Sequence, residues 1–340
     1  MPRGVLAWFE GRFAKVPPTQ YTSKKPNAIA ISDYRIKPPY AKLPPKNPTK
    51  NDLEVAPDFV DIECLDRFTT QSLKWLDGRT AAARAGKPFF LYLPYTSPHK
   101  PVIPLEEFRG QGKAGAYGEF MIETDHHLGR ILKWLDDEKL ADNTMVIFTS
   151  DNGPETTWRE RIQRFSHHSN GIYREGKRSV YEGGHRVPFI IRWPAQVKAG
   201  SQWNQPVCQT DLLATFADMV GERLPANAGE DSISFYQVLR GVGKNSVPPR
   251  VAMVHHGSQG RYALREQNWK LVMEDARRGK RELYDLAKDP GETTNVIEQH
   301  PEVAARLVAK LTVIVRNGRS SPGPVQKNDT PPWKELIWMR

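Results

Sequence analysis

The sequence predicts an α/β fold: a layered sandwich with a mostly parallel, mixed central sheet flanked by helices, plus a small C-terminal antiparallel sheet with one covering helix. Three observations predict it. Short β-prone apolar runs alternate with amphipathic stretches as far as about residue 245, the runs end on turn residues, and beyond 245 the texture changes to short strands at hairpin spacing.

The elements follow in order. Residues 1–60 carry prolines at 17, 18, 26, 38, 39, 44, 45, 48 and 57, which describes a loop-rich segment that wraps something larger. The α/β domain is expected over 61–245. It opens on a helix from Asp61 to about Leu76, where Ile62, Leu65, Phe68, Leu73 and Trp75 recur at near-helical spacing; Gly86-Lys87-Pro88 ends the helical region. Phe89 to Leu93 reads as a buried strand. Tyr117 to Leu135 is amphipathic through Phe120, Ile122, Leu128, Ile131, Leu132 and Leu135 and leads into a second strand at Met145 to Phe148. A third strand is Val187 to Ile191, and Asp211 opens another helix with Thr210 as its N-cap. Over 246–317 an antiparallel subdomain is expected, with strands at 251–254, 262–264 and 269–273 and a helix across Pro301 to Val315; 318–340 is an irregular tail.

Composition narrows the partners. The formal charge of +10 comes from 49 basic and 39 acidic residues spread along the chain. That favours acidic small-molecule partners over nucleic acid. No apolar stretch approaches the roughly 20 residues that span a bilayer, and the first residues lack the apolar core of a signal peptide, so neither a membrane nor an address is predicted. Cys64 and Cys208 have no metal-ligand spacing and read as buried small hydrophobes.

Three segments carry chemistry. Thr149-Ser150-Asp151-Asn152-Gly153-Pro154-Glu155 leaves the second strand at its carboxyl end, where an α/β enzyme gathers ligands, and Asp151 beside Asn152 supplies oxygens of the kind Ca²⁺ or Mg²⁺ prefers. Alone, Asp-Asn-Gly is more readily a plain turn signal. Ser97-Pro98-His99-Lys100-Pro101 follows the first strand in the same way, and His99 is either a surface residue or a general acid. In Arg174-Glu175-Gly176-Lys177-Arg178-Ser179-Val180-Tyr181-Glu182-Gly183-Gly184-His185, glycines let the backbone approach a ligand closely and Lys177 is placed to meet an oxyanion; the other reading is a solvated basic loop.

Together these segments resemble the type I sulfatases of the alkaline phosphatase superfamily. The resemblance rests on FFLYLPYTSPHKPVIP, LGRILKWLDDEKLADNTMVIFTSDNGPE, GKRSVYEGGHRVP followed by TDLLATFADMVG, and ELYDLAKDPGETTNV, in family order over most of residues 60–300. It implies a sulfuric ester hydrolase acting on a sulfated carbohydrate or aryl sulfate. Asp151 and Asn152 would be ligands of Ca²⁺, His99 the acid toward the leaving alcohol, and Lys177 a cation on the sulfuryl group. His99, Lys177, His168 and Arg174 would contact substrate, with Trp158, Arg159, Arg161 and Arg164 as further candidates. Asp125-His126-His127 is assigned to structure.

Sulfatases build their nucleophile, a formylglycine, from a cysteine or serine in Cys/Ser-x-Pro/Ala-x-Arg. The chain is expected to lack it, since Cys64 lies in Cys-Leu-Asp-Arg and Cys208 in Cys-Gln-Thr-Asp. Its α/β domain is therefore expected to be incomplete on the N-terminal side, the carboxyl-terminal part of a sulfatase, and inactive or nearly so alone. Location by resemblance is periplasmic or extracellular. Two other readings stay open: a phosphatase or phosphodiesterase of the same superfamily, and a non-catalytic binder of sulfated polyanions.

Overall fold

The computed structural model describes residues 61–100, 102–241, 250–258, 260–274, 280–327 and 334–339, with the backbone of 19–20 and 54–55. Thr19–Gln20 pairs antiparallel with Glu54–Val55. The wrapping role expected of 1–60 otherwise lies outside the described residues. The chain divides into two compact units, Met1–Ala141 with Arg164–His167, and Asp142–Gln163 with His168–Arg340.

Three α-helices carry the first unit over residues 61–141. Helix α1 (Cys64–Asp77) buries Leu65, Thr69, Ser72 and Leu76, a stripe at alternating steps of four and three. Helix α2 (Thr80–Arg84) follows and ends near Gly86, whose φ of 81° suits glycine. Helix α3 (Gly115–Asp137) buries Ala116, Phe120, Ile131 and Leu135 on the face that also carries Glu119, Glu123, Thr124 and His127. Leu65, Val102, Ala116 and Phe120 form the shared core, and Arg130 to Asp66 (2.6 Å) and Trp134 to Asp77 (2.7 Å) join the two long helices at their rims. Phe89–Leu93 was expected as a strand. Its burial does alternate, with Phe90 and Tyr92 exposed between half-buried neighbours, yet it joins no ladder among the described residues. Side-chain alternation is a local property and pairing is not.

In the second unit β1 (Val146–Thr149) pairs with β2 (Phe189–Arg192), Val146 opposite Arg192 and Thr149 opposite Phe189. The α/β class stands, but this pair runs antiparallel where a parallel neighbour was expected. Parallel neighbours need a long crossover packed on the sheet. The connection, residues 150–188 with helix α4 (Trp158–Phe165) and helix α5 (Glu182–His185), is long enough for one, yet the ladder is antiparallel. Helix α6 (Asp211–Val220) closes on Gly221 at φ 75°. Thr210 stands at its N-cap without capping it: its hydroxyl donates to the Asp231 carbonyl, and the buried Asp211 carboxylate accepts the Cys208 and Ile233 amides instead.

The C-terminal sheet has four antiparallel strands in chain order, β3 (Ala252–His256), β4 (Tyr262–Glu266), β5 (Trp269–Val272) and β6 (Glu282–Asp285). Leu264, Leu271, Met273 and Leu283 pack on Ala304, Leu307 and Leu311 of helix α7 (Pro301–Asn317), the expected cover. Ala263, Val272 and Tyr284 pack on Val180 and Tyr181. The segment carrying Lys177 is thus built onto this sheet. Among the described residues no helix is long and apolar enough to cross a membrane.

Candidate active site

The turn after β1 is set by its own polar atoms. Ser150 Oγ donates to the Asn152 carbonyl (3.1 Å), Asn152 Nδ2 to the Gly153 carbonyl (3.0 Å), and the Gly153 amide to the Gly184 carbonyl (3.0 Å). From the other side the Lys177 amide donates to the Pro154 carbonyl (2.8 Å). Glycine is required wherever these segments touch. A Cβ on Gly153 would lie 1.8 Å from the Gly183 carbonyl oxygen, on Gly176 2.4 Å from that of Pro154, on Gly183 2.3 Å from that of Glu175, and on Gly184 2.3 Å from that of Ser179. These glycines were read as room for a ligand; what approaches them is the protein's own backbone.

The interlock brings Asp151–Asn152 and Lys177 onto two meshed turns of one unit. Asp151 is exposed and Lys177 half-buried, and among the described residues neither the carboxylate nor the ammonium has an ion pair or a hydrogen bond. Their neighbours are committed. Glu175 and Arg178 flank the Gly176-Lys177 pair with φ of 63° and 76°, conformations costing non-glycine residues about 1–3 kcal/mol each. Glu175 accepts from Arg159 (2.6 Å), and Arg178 forks onto Glu155 (2.6 and 2.9 Å), which holds the Glu155 carboxyl at about 2.

Beneath the turn lies a buried charge network that sequence reasoning missed. Glu182 meets Lys270 (3.0 Å), Arg265 (3.0 Å) and Arg186 (3.3 Å), while Lys270 also meets Glu292 (3.0 Å), whose other oxygen accepts the Glu182 amide (2.7 Å). Burial favours the neutral acid at Glu182, but Lys270 and Arg265 outweigh it and keep the carboxyl below its usual range; at Glu292 burial prevails and pushes it up. His185 stacks on His255 at 4.5 Å between centroids. Burial, helped by Lys270, brings His185 down to about 4 and His255 well below its ordinary value. The only advance signal was a run of charged residues among strand-forming ones.

The remaining expected residues divide. Arg174 is engaged by protein: its guanidinium lies 3.7 Å from the Tyr181 ring centroid and donates to the Tyr284 hydroxyl (3.0 Å) and the Glu292 carbonyl (2.9 Å). His168 is exposed, its carbonyl accepting the Gly171 amide (2.9 Å). Arg161 is buried on Ser169 and Thr157, and Arg159 lies over the Trp158 ring at 4.6 Å. His99 belongs to the first unit, where Nδ1 lies 2.8 Å from the Lys100 carbonyl oxygen; its loop is tied to α3 by Thr124 to Ser97 (2.7 Å) and by the Leu105 amide to Glu123 (2.9 Å). His127 is buried between Arg130 and Glu123, as befits structure.

Asp151 and Asn152 fit Ca²⁺ in kind, as oxygen donors uncommitted among the described residues, and supply two of the roughly six to eight positions it takes. Among the described residues no group of three or more His, Cys, Asp or Glu is arranged to hold a metal. The formylglycine pattern does occur once, contrary to expectation, at Ser246-Val247-Pro248-Pro249-Arg250. It follows the site segments where the family's nucleophile precedes them, residues 246–249 are outside the described set, and Arg250 is buried against Asp211. This serine does not fit the nucleophile's place.

A family model described as Sulfatase matches residues 23–222, and one described as N-sulphoglucosamine sulphohydrolase, C-terminal, matches 171–317. An N-acetylgalactosamine-6-O-sulfatase of Bacteroides thetaiotaomicron is 37% identical over 238 residues, covering 65% of this chain and 46% of that one. Human arylsulfatase A is 31% identical over 241 residues, covering 64% of this chain and 46% of its own. A solved Bacteroides thetaiotaomicron structure, described under the metabolism of multiple glycosaminoglycans, superposes with a TM-score of 0.67 at 32% identity, covering 75% of this chain and 55% of that chain. The chain thus spans about half the length of these relatives.

Proposed function

The chain belongs to the sulfatase family, and on that premise we propose that it serves sulfuric ester hydrolysis, with a sulfated carbohydrate as substrate and an exported location. The observation that carries the reading is the meshing of the Asp151 turn with the Lys177 turn, which leaves a carboxylate and an ammonium uncommitted among the described residues, beside a framework where other charges are paired. A sulfate monoester stays anionic throughout transfer, so what a protein can add is fixed positive charge on the oxygens and a proton for the departing alcohol. Lys177 supplies the first as a point charge, and His168 of the same unit extends the contact with the sugar; His99, the acid the family resemblance implies, belongs to the other unit. Arg174 holds the loop from beneath and does not need to reach the ester.

Asp151 and Asn152 would hold Ca²⁺, which when bound adds electrostatic stabilisation of the sulfate oxygens. Sulfated galactosamine is the sugar class suggested by the Bacteroides relative's name. Titration calorimetry of the full chain with 4-nitrophenyl sulfate and N-acetylgalactosamine 6-sulfate tests the reading. Lys177→Ala should weaken binding by about tenfold or more, the loss of one charge-assisted contact. Undiminished affinity in that variant, or no binding by the unaltered chain with Ca²⁺ present, would overturn it.

A further inference from the structure

Gly176 stands beside Lys177, yet the left-handed conformations fall on its charged neighbours Glu175 and Arg178. Gly176 itself is used for close approach to Pro154. The choice of charge at the two strained positions has a geometric consequence. Both side chains reach the segment that follows Asp151: Arg178 forks onto Glu155 at 2.6 and 2.9 Å, and Glu175 meets Arg159 at 2.6 Å. Arg159 and Arg178 are 49% and 50% exposed, so neither pair adds much to stability. What they restrict is direction, since the chain on either side of the lysine is tied to the stretch that continues from the Asp151 turn.

We infer that Glu155, Arg159, Glu175 and Arg178 are positioning residues for Lys177, with the Glu155–Arg178 fork the main tie, and that they fix where its ammonium meets an anionic ester oxygen. The part concerning the ester rests on the function proposed above; the tie itself does not. A lysine at 178 would keep the charge and lose the fork. A glycine there would accept φ near 76° without strain and lose the tie altogether. That contrast separates positioning from mere accommodation of the backbone.

The test uses the full chain carrying Arg178→Lys, Arg178→Gly, Glu155→Gln or the reversed pair Glu155→Arg with Arg178→Glu. Three quantities are read: melting temperature, hydrogen exchange of the 174–180 peptide, and affinity for 4-nitrophenyl sulfate. Arg178→Gly should keep the melting temperature, speed exchange of that peptide about tenfold and weaken the ester about tenfold, the scale of losing one charge-assisted tie. Arg178→Lys should fall between, and the reversed pair should recover part of both. Unaltered exchange and affinity in Arg178→Gly would overturn the inference. Should the unaltered chain bind no sulfate ester, the functional reading fails by itself and exchange decides the tie: acceleration confined to 174–180 supports it, and none refutes it.

Discussion

Lys177 and Lys270 belong to the same unit and are held in opposite ways. Lys270 is fully buried between Glu182 and Glu292, each at 3.0 Å, and its charge is consumed by the fold. Lys177 is fixed through its amide and its neighbours, and its ammonium has no ion pair among the described residues. The base of the loop satisfies its charges; the tip withholds one. In a site of this kind the residue left unsatisfied, amid others that are paired, is the one available to a ligand.

The comparison can be broken from its base. Lys270→Ala would leave two buried carboxylates facing each other, and an expected loss of about 3–5 kcal/mol in urea unfolding. A loss below about 1 kcal/mol would mean that the network is not structural. Acid comes next. His185 is held at about 4 and His255 well below its ordinary value, so the unfolded chain takes up these protons first as pH falls below about 6.5. Stability should be complete above that value and decline toward pH 4, with His185 accounting for at most about 3 kcal/mol. His185→Gln should flatten this part of the melting-temperature profile; an unchanged slope contradicts the assignment.

The interlock is a smaller lever. Gly153→Ala places a methyl group against the Gly183 carbonyl and should cost about 1–3 kcal/mol while weakening sulfate binding, measured together by unfolding and calorimetry. Smallest in stability is Lys177→Ala, expected within about 0.5 kcal/mol of the unaltered chain although its ligand affinity falls. A large drop in melting temperature there would make Lys177 a second Lys270 and dissolve the contrast.

Local periodicity carried the fold a long way. The recurrence of Ile62, Leu65, Phe68, Leu73 and Trp75, of which only Leu65 is fully buried, the stripe through Phe120 and Leu135, and the proline start at Pro301 each gave a helix close to its observed bounds. The direction of the β1–β2 pair was not legible, because a four-residue apolar run looks alike in either orientation. β6 was missed as a strand: Glu282 and Asp285 bracket only two buried residues, Leu283 and Tyr284. At the site, the glycines and Lys177 stood out and the partners did not. Glu182 and Lys270 are 88 residues apart, and no spacing rule links them. Nor could the sequence show that Glu175 and Arg178, rather than Gly176, adopt the left-handed backbone.

The order of strands in the C-terminal sheet has a kinetic corollary. Each strand pairs with the one just before it in the chain, so hairpins can zip up one after another with little loop entropy to overcome. Glu182 must then find Lys270 across 88 residues of chain. Refolding should therefore proceed in two stages, far-ultraviolet dichroism recovering ahead of protection at the 174–184 amides. Synchronous recovery of the two signals would mean that the lysine-bearing loop helps to nucleate the sheet it rests on.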